Sequence, residues 1–284
     1  MATLAVACSG ERTNTGARPA VFVSILPQAY FVERIAGGRV DLHVVVGPGQ
    51  SPETYEPTAK QLSLLADSRI LFTIGMPFER ALMPRIRANF PGVAIVDTHD
   101  GIPLRGMWEE GSAAARQPPP DAKDPHVWMD PRLAKTLAKN ILDAITAVLP
   151  DDAAELQANF DTLAADLDSL DAEISRMLKP MAGRDIVVYH PAYGYFCDAY
   201  GLRQVAIEVG GVEPGSRYLA DLIAGLREGG VKVIFVEPQS AQTTAEAVAQ
   251  AIGGRVAVLD PLASDYIENL RRIAIEIHSV LQER

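Results

Sequence analysis

"DDAAELQANFDTLAADLDSLDAEISRMLK", residues 151–179, runs without a glycine or a proline. Within it Leu156, Phe160, Leu163, Leu167, Leu170, Ile174 and Met177 recur at alternating steps of four and three, which lays one apolar stripe along a helix. At 1.5 Å per residue, roughly 28 residues reach about 40 Å, the length of a small domain. Such a stripe belongs either to a coiled-coil dimer or to a rod that packs back onto its own chain. The segments on either side decide between them.

Upstream lie four short apolar, β-branched runs, "AVFVSIL", "VDLHVVVG", "RILFTIG" and "VAIVDT", separated by helical segments such as "PQAYFVERIAGG" and "PFERALMPRIRANF". Downstream the pattern returns with "RDIVVYH", "RQVAIEV", "VKVIFVE" and "RVAVLDP". Strand alternating with helix means βαβ units and a mainly parallel sheet, so the expected class is α/β with two lobes joined by one long backbone helix. The expected division is a tether over 1–19, an N-terminal lobe over 20–150, the linking helix over 151–180 and a C-terminal lobe over 181–284.

A chain of 284 residues with 48% hydrophobic content buries a substantial core. Its formal net charge of -10 argues against a nucleic-acid or anionic-membrane partner, since phosphate recognition needs a basic surface. No apolar run reaches the roughly 18 residues that span a bilayer. The opening "MATLAVACSG" is similar to the end of a bacterial lipoprotein signal without its basic start, which makes Cys8 the expected lipid anchor and "SGERTNTGARP" a flexible tether. Cys197, among aromatics in "YGYFCDAYGL", reads as a buried apolar side chain, and two cysteines so placed make neither a metal motif nor a disulfide framework.

In open parallel sheets ligands bind beyond the carboxyl ends of the strands. His190 ends "RDIVVYH" and Asp260 ends "RVAVLD", each followed by proline. His126 lies in "DPHVWMDP", residues 124–131, just before Asp130 and Pro131, a good N-cap and first-turn pair for the next helix. Glu53 lies in the turn-rich loop "GPGQSPETYEPT" that leaves the second strand. Two imidazoles and two carboxylates are a complete and neutralising shell for a divalent transition ion. Spacing alone does not join them, because they are far apart in the chain. Glu237, closing "VIFVE", is a candidate outer-shell or capping carboxylate, while His43, His99 and His278 read as structural or solvated. No P-loop, GxGxxG, GxSxG or HExxH occurs, so an enzyme has no support from motifs.

Taken in order, "GPGQSPETYEPTAKQL", "KDPHVWMDPRLAKTLAKNI", "VVYHPAYGYFCDAYGL", "VKVIFVEPQSAQTTAEAVA" and "LDPLASDYIENLRRIA" resemble the cluster A-I family, the metal-binding solute-binding proteins of bacterial ABC importers for zinc and manganese. The resemblance covers about Val21 to the C-terminus. It implies two lobes, each a four-stranded parallel sheet with surrounding helices, with the ion in the cleft between them. It also implies a periplasmic or extracytoplasmic location and a membrane permease as partner for a receptor that is not an enzyme; a monomer is the default expectation. By the same resemblance His126, His190 and Asp260 are the second, third and fourth ligands. The first departs from the pattern: where the family has histidine in a "PHxYEPT" segment, this chain has "PETYEPT", with Glu53 in that place. Two carboxylates make a harder donor set, which leans toward manganese, whereas the Irving–Williams order and a histidine as the third ligand, His190, keep zinc slightly ahead. The loop from Gly106 to Asp124 lacks the histidine-rich tract of many zinc-specific relatives. Two other readings stand beside capture and delivery: a metal-dependent hydrolase with an open coordination position and Glu53 as general base, and a same-fold receptor for a metal chelate or other small solute.

Overall fold

The computed structural model describes residues 18–107, 123–208, 215–239 and 242–283; Cys8 and most of the histidine-poor loop lie outside the described residues. Each of the eight apolar runs forms a four-residue strand. The first sheet, β1 (Ala20–Val23), β2 (Asp41–Val44), β3 (Ile70–Thr73) and β4 (Ala94–Asp97), is parallel throughout in the order β2-β1-β3-β4. The second, β5 (Asp185–Val188), β6 (Arg203–Ala206), β7 (Val233–Val236) and β8 (Arg255–Val258), repeats it as β6-β5-β7-β8. The central strands β1, β3, β5 and β7 are buried almost throughout. That is why they read as unbroken apolar runs, while the edge strands carry Asp41, His43 and Arg203.

Around the first sheet run α1 (Leu26–Ala36), α2 (Ala59–Ala66), α3 (Pro77–Asn89) and α4 (Pro131–Val148). Asp130 caps α4 as its sequence suggests, accepting from the Arg132 amide with Pro131 in the first turn. The linking helix is α5 (Ala153–Leu178), and α6 (Gly194–Tyr200), α7 (Ser216–Glu228), α8 (Gln242–Ala251) and α9 (Tyr266–Gln282) follow in the second lobe.

The stripe on α5 packs on the chain's own helices α1, α4 and α9, which answers the coiled-coil alternative. Leu156, Leu163, Leu167, Leu170 and Ile174 are buried, with Phe160 and Met177 partly buried against the same core. This core is continuous from Val21 and Phe72 of the first sheet, through Leu167, to Val188 and Phe235 of the second. A smaller cluster, including Val187, Ile234 and Leu226, fills the far face of the second sheet. The lobes meet again where the Tyr266 ring of α9 packs edge-on against Phe31 of α1 at 4.8 Å, and where Trp128 Nε1 donates to the Pro261 carbonyl at 2.8 Å.

Both strand orders reverse direction beside their first strand, which creates a crevice at the carboxyl ends of β1/β3 and of β5/β7. The first crevice is filled by the chain itself. Buried Gln28 accepts from the Ser24 amide and donates to the Thr73 carbonyl and Thr98 hydroxyl, and Glu79 accepts from the Ile74 and Gly75 amides. The second crevice is where His190, two residues past β5, and Glu237, next after β7, stand.

Candidate metal centre

Three of the four expected ligands meet in the cleft. Ligand atoms of Glu53, His126 and His190 all lie within 4.8 Å of one another, the one such group among the described residues. His190 Nε2 is 3.4 Å from His126 Nε2 and 3.7 Å from Glu53 Oε1. Both histidines are buried and Glu53 is partly so. Each comes from a segment held by the framework: Glu53 from the loop between β2 and α2, His126 from the turn before α4, and His190 from the end of β5.

The far nitrogen of each imidazole faces a carboxylate. Asp124 Oδ1 lies 2.7 Å from His126 Nδ1 and also accepts the His126 amide at 2.9 Å. His190 Nδ1 faces both oxygens of Glu208 at 3.4 Å. A carboxylate beside Nδ1 keeps the proton there and turns the Nε2 lone pair toward the cleft, the usual outer-shell arrangement behind a metal-binding histidine. In the metal-free chain the proton held by His190 lies between the two Nε2 atoms, 3.4 Å apart, and a metal ion takes its place. For a tetrahedral ion with bonds of about 2.0–2.1 Å to nitrogen, neighbouring donors stand about 3.3–3.4 Å apart. The observed spacing is that of a tetrahedron's edge.

Charge around His190 is strongly negative. Burial opposes its protonation, yet the charge of Glu237, the contact with Glu208 and the charge of Glu53 outweigh it and raise its pKa from 6.5 to about 10. Glu237 is itself pushed up, chiefly by burial, while His190 and His126 pull it back. The cavity at the three ligands, also lined by Trp128, Glu237, Gln239 and Leu262, encloses about 20 Å³. That holds one water-sized body and no more.

Asp260 is not brought into this group. Its Oδ1 accepts from the Leu262 amide at 2.9 Å and from Gln239 Nε2 at 3.3 Å, and it lines an adjoining cavity of about 210 Å³ that shares Gln239 and Leu262 with the first. His43 stacks on Phe22, His99 sits 2.6 Å from Asp97, and His278 faces Gln282, all apart from the centre. Sequence reasoning passed over Asp124, Glu208 and Gln239. Glu208 stands two residues past β6 and so obeys the rule that selected His190. Asp124 is part of the "DPH" turn, whose aspartate sits two residues before the histidine it orients.

Residues 21–280 match the family described as "ZnuA: Zinc-uptake complex component A periplasmic". The chain is 29% identical over 262 residues to the high-affinity zinc uptake system protein ZnuA of Bacillus subtilis, covering 89% of this chain and 81% of that one. It is 27% identical over 266 residues to the zinc-binding lipoprotein AdcA of Streptococcus pneumoniae, covering 91% of this chain but 53% of that one, so it spans about half the length of AdcA. Among solved structures, a crystal structure of ZnuA superposes with a TM-score of 0.85 at 32% identity, covering 93% of this chain and 100% of that one. The periplasmic zinc binding protein TroA of Treponema pallidum shares the fold, with a TM-score of 0.83 at 23% identity and coverage of 93% and 99%. With four-fifths or more of the chain aligned in every case, it belongs to the family of zinc-uptake complex component A, periplasmic.

Proposed function

We propose that this protein captures a divalent transition metal ion between its lobes and delivers it to the membrane permease of an ABC importer. Zinc is the preferred cargo and manganese the next. The relatives named for zinc uptake and zinc binding support the cargo and the route, and the family description supports a periplasmic site of action. The observation that carries the reading is the pair of imidazole nitrogens 3.4 Å apart, each backed by a carboxylate. Glu53, His126 and His190 are the first three ligands. Asp260 is the fourth, closing the shell by releasing Gln239 and turning inward. Glu237 supplies outer-shell negative charge to both histidines. The receptor acts as a monomer, with Cys8 as its lipid anchor.

This shell leaves no place for an activated water, so the protein is a carrier rather than a hydrolase. A cavity of about 20 Å³ also favours a bare ion over a chelate. In the decisive experiment, protein stripped with chelator is dialysed against zinc and manganese together and its metal content measured. One zinc per chain, displacing manganese, is expected. Glu53→His, which supplies the nitrogen that the family resemblance implies at this position, is expected to shift selectivity further toward zinc, by about tenfold. Sub-stoichiometric binding of both metals by the wild-type chain sinks the reading.

A further inference from the structure

Behind His126, the Asp124 carboxylate is completely buried, and hydrogen bonds from His126 alone leave its second oxygen to be answered. Arg105 answers it: Nη1 stands 3.4 Å from Asp124 Oδ2. The same guanidinium points its Nε at Asp198 Oδ2, 3.0 Å away on α6 of the facing lobe. Tyr195, also on α6, accepts from the Arg105 amide and donates to the Asp124 carbonyl, both at 3.0 Å, and its ring lies 5.9 Å from the guanidinium carbon. One arginine therefore touches both the acid that orients a metal ligand and an acid on the other lobe. Space for it is reserved by Gly194, where a Cβ would fall 1.5 Å from Arg105 Nη1 and 2.8 Å from Asp124 Oδ2.

We propose that Arg105 is an interlobe latch, a positioning residue that holds Asp124, and through it His126, in the ligating orientation while α6 is apposed, and so sets how slowly the metal leaves. The inference rests on the metal-receptor reading above. Opening the cleft separates Arg105 from Asp198 and Tyr195, which removes the brace from Asp124 as His126 parts from His190. Metal release and lobe separation are thereby one event. A lysine in place of Arg105 keeps the charge but has one nitrogen, and cannot reach both acids with fixed geometry.

The test follows zinc leaving preloaded protein into a chromogenic chelator by stopped flow. Arg105→Gln and Gly194→Ala are expected to release zinc about 10- to 100-fold faster than wild type, the usual range for loss of an outer-shell partner. Asp198→Asn, at an exposed position, is expected to release it about two- to fivefold faster. Arg105→Lys falls between wild type and Arg105→Gln. The double variant Arg105→Gln/Asp198→Asn releases no faster than Arg105→Gln, since the two side chains act as one contact. Should Arg105→Gln fold poorly, Gly194→Ala and Asp198→Asn carry the test. Unchanged release from both, or additive rates in the double variant, overturns the latch while wild-type zinc loading leaves the receptor intact. A wild-type chain that binds no zinc overturns the receptor reading and the latch with it.

Discussion

His190→Ala is expected to lower zinc affinity about a hundred- to a thousandfold, one ligand's share of the free energy typical of structural zinc binding. The substitution takes away a nitrogen donor and leaves Glu53, Glu208 and Glu237 facing one another without the imidazole that separates them. Competition against a chelator of known affinity measures it, with His126→Ala as the companion. Undiminished affinity in both variants is incompatible with the assigned centre.

The pH dependence follows from the same residue. With its pKa raised to about 10, His190 holds a proton in the metal-free protein at neutral pH, and zinc must expel it. Wild-type affinity should therefore climb about tenfold per pH unit below pH ~10, and zinc loading should release protons into weak buffer. Carboxylates clustered around one imidazole thus move the competition window above the ordinary histidine range. The sign for stability is opposite. A raised pKa means the folded, metal-free chain binds the proton more tightly than the unfolded one. That stabilisation is complete below about pH 6.5 and fades as pH rises toward about 10. Denaturant midpoints of the metal-free protein should fall across that window, and His190→Ala should flatten both trends.

The second large effect is on the fold. Leu167→Ala, at a fully buried position midway along α5, should cost about 3–5 kcal/mol, the range for a large-to-small change in a well-packed core. Because one apolar cluster joins both sheets through this helix, the loss should appear as a single unfolding transition shifted to lower denaturant. Calorimetry that resolves two transitions, with only one moved by the substitution, contradicts the shared core.

Much of the architecture is legible in residue order. All eight strands fall inside the apolar runs read from the sequence, because a β-branched segment bounded by turn residues carries its own preference. Cys197 is buried, as its aromatic neighbours suggest. Five of the seven stripe residues on α5 are buried, with Phe160 and Met177 at its margin. The centre is legible only in part. Glu53, His126 and His190 are recognisable one at a time as metal-capable groups at the ends of elements, and each could as well have been a solitary capping or packing residue. Glu208 obeys the same positional rule but carries no distinguishing signal, since glutamate past an edge strand is common on surfaces. Gly194 carries no signal at all until Arg105 lies over it.

From local order alone, then, come the two βαβ patterns, the rod between them and the short list of groups able to hold a cation, since propensity and periodicity act between residues a few positions apart. Only the packed chain decides that positions 53, 126 and 190 converge, that Asp260 turns to Leu262 and Gln239, and that Arg105 bridges two acids across the cleft. Those separations are set by how α1, α4, α5 and α9 pack into one core. A displacement of an ångström there, invisible in any local pattern, is the difference between a tetrahedron's edge and two unrelated histidines.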